Sequence, residues 1–186
     1  MQTLYLDRQP NGQPIIGTAN QPLLATGYAV ARVATFGNKK MKTKLETATA
    51  KFREGYNCAQ SVLYAHCDDL HLDGNTSLRI ACGFGAGMGR KEEICGAVSG
   101  GILVLGLRHG RGDKDDRAAT ELTYTKTRDL MERFQQRHGT FICKKLLNGC
   151  DLTTAEGQRS FKDNDLFNRV CVRCVESVMA ILEDIK

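Results

Sequence analysis

The sequence predicts an all-α fold: a multi-helix bundle from Met41 to Lys186, preceded by an extended or irregular N-terminal arm over residues 1–40. Three observations carry this expectation. From Leu45 onward, apolar residues recur at the three- and four-residue spacing that lines one face of a helix. The segments with that spacing are separated by glycine, or by Asn, Thr and Asp residues whose side chains can accept bonds from first-turn N–H groups. All three prolines (Pro10, Pro14, Pro22) lie in the arm, and proline cannot donate to a helical ladder.

The elements follow in order. Leu45, Ala48 and Phe52 mark a first helix that Gly55 closes. Asn57 is placed to cap a second, CAQSVLYAHCDDL, with Cys58 at its first position. A third runs from Asn75 or Thr76 to about Cys82 and ends in the glycine-rich CGFGAGMGR. A fourth begins near Cys95 and carries GAVSGGILVLGL. DKDDRAATELTYTKTRDLMERFQQRHG is the longest, with Gly139 as its stop. Thr140 is expected to cap FICKKLLNG, which places Cys143 in a first turn, and Thr153 with Glu156 forms a capping box for another short helix. The last, DLFNRVCVRCVESVMAILEDI, reads as one continuous helix with Leu166, Val170, Cys174, Val178, Leu182 and Ile185 near one face. Within the arm, YAVARVATF suits a short strand as well as a short helix.

Composition narrows the function classes. With 186 residues, 41% hydrophobic and 25% charged, the chain suits one globular domain and the arm. It has no apolar run of the roughly 18 residues a membrane span needs, so no membrane insertion is expected. The N-terminus shows no secretory signal, which makes a cytoplasmic location the expectation. The net charge of +5 comes from dispersed Lys and Arg, and the chain has no tryptophan. That distribution describes a solvated surface rather than a nucleic-acid footprint.

Eight cysteines dominate the chemistry: Cys58, Cys67, Cys82, Cys95, Cys143, Cys150, Cys171 and Cys174. In a chain long enough to build a core and without an export signal, they point to metal binding or redox chemistry before a disulfide framework. A lone helical cysteine is most often a small buried hydrophobe. Three of these, however, stand at helix starts (Cys58, Cys95, Cys143), where free N–H groups and the helix dipole favour the thiolate. Lys144 and Lys145 reinforce that trend at Cys143, and Arg169 and Arg173 do so near Cys171. Glu92 and Glu93 oppose it at Cys95.

Several motif readings fail. CVRC at 171–174 has no preceding strand for a thioredoxin-like site, no following histidine for covalent haem, and no second CxxC for a zinc ribbon. On a continuous helix its two thiols lie one turn apart, leaving open which of them faces a site. GFGAGMGR has glycine at every second position, so it matches neither GxGxxG nor a P-loop. It reads better as a tight connection that lets backbones approach, although Arg90 leaves an anion-binding role open. His66, His71, His109 and His138 have no ligand spacing; His66 and His71 near Cys67 leave a metal role conceivable.

FREGYNCAQSVL, GFGAGMGRKEEICGAVSGGILVLGL, CKKLLNGCDL and LFNRVCVRCV, in this order, resemble the C_GCAxxG_C_C family of redox-active proteins over residues 41–186. Position by position, the resemblance puts the family's four cysteines on Cys58, Cys95, Cys143 and Cys171, with Cys174 as a substitute for Cys171. Cys67, Cys82 and Cys150 are additional. A similar domain accompanies haem segments in split-Soret cytochromes, where four cysteines suit an iron–sulfur cluster. The resemblance therefore implies a four-cysteine redox site, with an iron–sulfur cluster for electron transfer as first expectation. Thiol–disulfide exchange by the same cysteines and a structural zinc site on all four are the alternatives, and the redox partner is unknown. Gly96, Ala97, Gly100 and Gly101 would let helices pack closely around such a site. A homo-oligomer, with the arm packed on a neighbouring subunit, is left open.

Overall fold

Caps and glycines divide the chain much as expected. The computed structural model describes residues 42–185; the readings of the arm and of YAVARVATF lie outside them. The described residues form eight α-helices: α1 (Lys44–Arg53), α2 (Cys58–Tyr64), α3 (Gly74–Ala81), α4 (Gly96–His109), α5 (Arg117–His138), α6 (Cys143–Leu146), α7 (Ala155–Asp163) and α8 (Arg173–Asp184). Among the described residues there is no strand, only an isolated antiparallel bridge between Ile94 and Ile142. The all-α expectation is met.

The caps explain most boundaries. Thr43 with Glu46, and Asn57 with Gln60, form complete capping boxes at α1 and α2. Asp116 caps α5, and Gly139, at φ 76°, ends it in the left-handed conformation. Other boundaries differ from the sequence reading. Helix α3 starts earlier, at Gly74, because Asp73 caps it through the Thr76 N–H. Helix α7 is capped by Thr154, which accepts from the Gly157 N–H, while Thr153 turns back to bond Asp151. The Thr140 hydroxyl accepts from the Ile142 N–H, but the helix beyond shrinks to the single turn of α6. Leu45 is exposed, so the buried stripe of α1 is Ala48 and Phe52.

Helix α4 is the hub, touching α2, α5 and α8. A helix enclosed this way must be apolar around most of its girth, and its residues from Gly96 to Gly101, with Val104 and Leu105, are buried. Its small residues set the approach distance. A Cβ at Gly100 would stand 2.8 Å from the Ala59 carbonyl oxygen, and one at Gly101 would stand 2.8 Å from Leu130 and 2.9 Å from Val178. Larger side chains would push α2 on one face and α5 and α8 on the other away from α4.

Two backbone departures shape the site. Ala86, Gly87, Met88, Gly89 and Arg90 all have positive φ, between 50° and 67°, closing a left-handed turn in which the Gly89 N–H donates to the Gly85 carbonyl. Alternate glycines make it feasible, but Ala86, Met88 and Arg90 each bear the left-handed penalty of about 1–2 kcal/mol. The expected continuous last helix is also broken: Phe167–Val172 is a π-helix, and α8 follows it. An extra residue per turn widens this segment where it carries Cys171.

Candidate functional site

Backbone pairing brings two distant cysteines together. The Cys95 N–H donates to the Phe141 carbonyl (2.8 Å), the Cys143 N–H to the Glu93 carbonyl (2.6 Å) and the Lys144 N–H to the Glu92 carbonyl (3.0 Å). The chain before α4 is thus clamped along the chain entering α6. Cys95 then sits at the N-cap of α4 and Cys143 at the first position of α6. Cys58 is the first residue of α2, and Cys171 and Cys174 come from the π segment and α8.

All five line one cavity of about 160 Å³, room for several waters at roughly 10–15 Å³ each. Its other walls are almost wholly apolar, with Leu146, Leu147, Leu152, Phe161 and Val170 among them. Phe52 and Phe167 also line it, stacked with ring centroids 4.5 Å apart. The four cysteines singled out by the resemblance therefore line one cavity. Cys174 lines it together with Cys171, because residues three apart share a helix face.

The remaining cysteines are elsewhere. The Cys67 thiol is 3.1 Å from the Ser77 hydroxyl, Cys82 is exposed, and the Cys150 thiol donates to the Gly157 carbonyl at 3.0 Å. His66 faces Arg108, whose guanidinium donates to its Nδ1 at 3.0 Å, so it is not turned to Cys67 through that nitrogen. Among the described residues, no three Cys, His, Asp or Glu side chains are drawn tightly enough to hold a single metal ion. The thiols surround a space rather than a point.

Tight packing fixes the sulfurs. A Cβ at Gly96 would collide with the Cys58 sulfur, and one at Gly87 would stand 2.8 Å from the Cys143 Cβ. The left-handed turn delivers the Ala86 N–H to the Cys58 sulfur. Glu92 is 5% exposed, and its carboxylate accepts the Leu152 N–H at 2.6 Å, tying that loop to the clamp.

Charge is scarce here. A hydrogen bond from the Cys174 thiol holds Cys95 below the usual thiol value against the cost of burial, helped by the Ala97 and Val98 N–H groups. The same bond, then burial, pushes Cys174 far up. Burial first, then the neighbouring Cys95, pushes Cys58 up to about 12 despite the Ala86 bond. Burial and the charges of Cys95, Cys58 and Glu92 raise Cys143 to about 12. Burial, then Cys58, Cys95 and Cys143, raises Cys171. The expectation that helix starts lower all three thiols holds for Cys95 alone: at Cys58 desolvation outweighs the N–H groups of Ala86 and the first turn, and at Cys143 burial and neighbouring charge act with no N–H bond against them. Lys144, Lys145, Arg169 and Arg173 do not contribute to these shifts, and Glu92 acts on Cys143 rather than Cys95.

The sequence reading missed Ala86, the bond by which Glu92 holds Leu152, and the stacking of Phe52 on Phe167. Ala86 acts through its backbone, which no side-chain motif reveals, and Glu92 is aimed by a positive φ of 61°.

A family model described as "Putative redox-active protein (C_GCAxxG_C_C)" matches residues 56–185. An uncharacterized protein of Archaeoglobus fulgidus is 26% identical over 140 residues, which cover 72% of this chain and 89% of the relative. No solved structure matches the chain.

Proposed function

The chain belongs to the C_GCAxxG_C_C family, described as redox-active, and from this we propose that the cavity holds a small iron–sulfur cluster on Cys58, Cys95, Cys143 and Cys171, serving electron transfer. The observation that carries the reading is that thiols from four separate segments line one apolar cavity with several waters' worth of space.

The donor set fits such a group. Clusters are held by four cysteine thiolates and tuned by hydrogen bonds to sulfur, and the Ala86, Ala59, Ala97 and Val98 N–H groups are directed at Cys58 and Cys95. Four raised or coupled thiols cannot all ionise together in a dry cavity unless positive charge compensates them. A zinc site would need four sulfurs about 2.3 Å from one point; thiols lining a space suit a group of several atoms better. When bound, a cluster supplies reversible one-electron chemistry. The protein's part is to hold the four sulfurs, donate N–H bonds to two of them, and keep water out with Phe52, Phe167, Leu147 and Leu152.

One observation favours thiol–disulfide exchange as the second reading: Cys95, lowered toward the thiolate, is hydrogen-bonded to Cys174. An attacking thiolate beside a partner thiol is what that chemistry needs.

The test is anaerobic purification with iron, acid-labile sulfide and visible absorbance measured together. Serine at Cys58, Cys95, Cys143 or Cys171 should abolish iron and colour, and serine at Cys67 or Cys150 should leave both intact. A colourless, iron-free protein with a Cys95–Cys174 disulfide after oxidation would replace the first reading with the second.

A further inference from the structure

We infer that the open cleft between α6, α7 and the π segment is a binding site for a small molecule bearing a phosphate or carboxylate group. The cleft measures about 690 Å³, and the side chains that face it are one-sided in their chemistry. Arg169 and Arg173 line it, with Asn148, Ser160 and Asn164, and no acidic residue does.

The arginines stand four residues apart, a spacing that directs both to one face. Neither guanidinium has an ion pair or a hydrogen bond among the described residues. Arg133 is engaged by Asp129 and Asp184, and Arg108 by His66 and the Leu182 carbonyl; Arg79, Arg90 and Arg159 also lack a partner among the described residues, but they do not line the cleft. Two unpaired guanidiniums facing one cleft repel each other until an anion sits between them, and their planar N–H forks match the paired oxygens of carboxylate and phosphate. The Ser160 hydroxyl accepts from Asn164 and keeps its own proton to donate.

The position adds a role. Leu146, Leu147 and Val170 line both this cleft and the cysteine cavity, so a molecule held by the arginines rests one side chain from the thiols. Occupancy of the cleft would therefore alter the surroundings of the thiols; anion binding itself does not rest on the redox reading.

The full-length protein is titrated with inorganic phosphate and, separately, with malonate, at ionic strength held constant with sodium chloride, and heat is recorded. Saturable one-to-one binding is expected, at least tenfold weaker in the Arg169→Gln/Arg173→Gln double variant and unchanged in Arg117→Gln, whose site is remote in sequence and outside the cleft. Binding of phosphate alone, of malonate alone or of both supports the site and identifies the group it prefers. No saturable binding of either anion, or an equal loss in Arg117→Gln, overturns it. Should the double variant not fold, phenylglyoxal modification of the unaltered protein serves instead: phosphate or malonate should protect residues 169 and 173, and absence of protection overturns the inference. Iron and sulfide content, measured on the same samples, separates failure of this site from failure of the cysteine reading.

Discussion

Alanine at Gly96 tests whether the sulfur positions depend on a missing side chain. Gly96 opens α4 with helical geometry, so the backbone raises no objection, and alanine in a helix is worth up to about 1 kcal/mol over glycine. Against that, the new Cβ would meet the Cys58 sulfur, with the Phe84 carbonyl oxygen at 2.9 Å and the Ala59 nitrogen at 3.4 Å. The sulfur can swing aside by rotating about χ1, but two of the neighbours are backbone and cannot. Overpacking of this kind costs about 1–3 kcal/mol, so Gly96→Ala should be destabilised on balance. At roughly 2–4 °C per kcal/mol for a chain of this size, the melting midpoint should fall by several degrees. The sulfur's escape has a second cost, because it leaves the cavity and iron content should fall with it. Gly106→Ala, in the same helix with nothing within 4 Å of its new Cβ, is the control and should gain up to about 1 kcal/mol. Differential scanning calorimetry and iron analysis of both variants decide the matter. If Gly96→Ala melts no lower than Gly106→Ala and retains its iron, close packing does not fix Cys58.

Other outcomes can be checked in parallel. Ala86→Gly relieves a left-handed penalty while keeping the N–H that reaches Cys58; urea unfolding should show a gain of up to about 1 kcal/mol, and Ala86→Val a loss. Burial first, then Arg108 and Lys44, depress His66 to about 4; because the unfolded state takes the proton first, stability is present above pH 6.5 and is lost as pH falls toward 4. That loss is worth at most about 3 kcal/mol, and denaturant midpoints of His66→Gln should fall less across this window than those of the parent. A chain starting at Met41 should keep its cooperative thermal transition and its cysteine chemistry; an insoluble product would move the domain boundary into the arm.

What was legible in the sequence was local. Asn57 and Gly139 announce their boundaries because capping is decided within one turn of chain. The small residues of α4 could be linked to close packing because only such packing requires Gly100 and Gly101 in an otherwise apolar helix. The convergence of Cys58, Cys95, Cys143 and Cys171 was available through family resemblance, not through spacing, since the clamp that joins Cys95 to Cys143 is made of backbone bonds any residue could form. Thiol acidity was misjudged at Cys58 and Cys143 because a helix start is visible in sequence and burial is not. Nor could alternate glycines indicate that Ala86, Met88 and Arg90 would follow Gly87 and Gly89 into left-handed geometry.

The π segment has a consequence for how relatives are compared. A wide turn is what a helix becomes when it absorbs one additional residue without moving its anchors. Here the anchors are Phe167, stacked on Phe52, and the core-facing Val175 and Val178 of α8. A homologue one residue shorter in this stretch could run as unbroken α-helix between the same anchors. Counting back from the C-terminal helix would then set its fourth cysteine one position out of step with Cys171. Alignments should be pinned at the phenylalanine and the valines and allowed a single gap between them, so that the fourth thiol is identified by where it stands rather than by its place in the count.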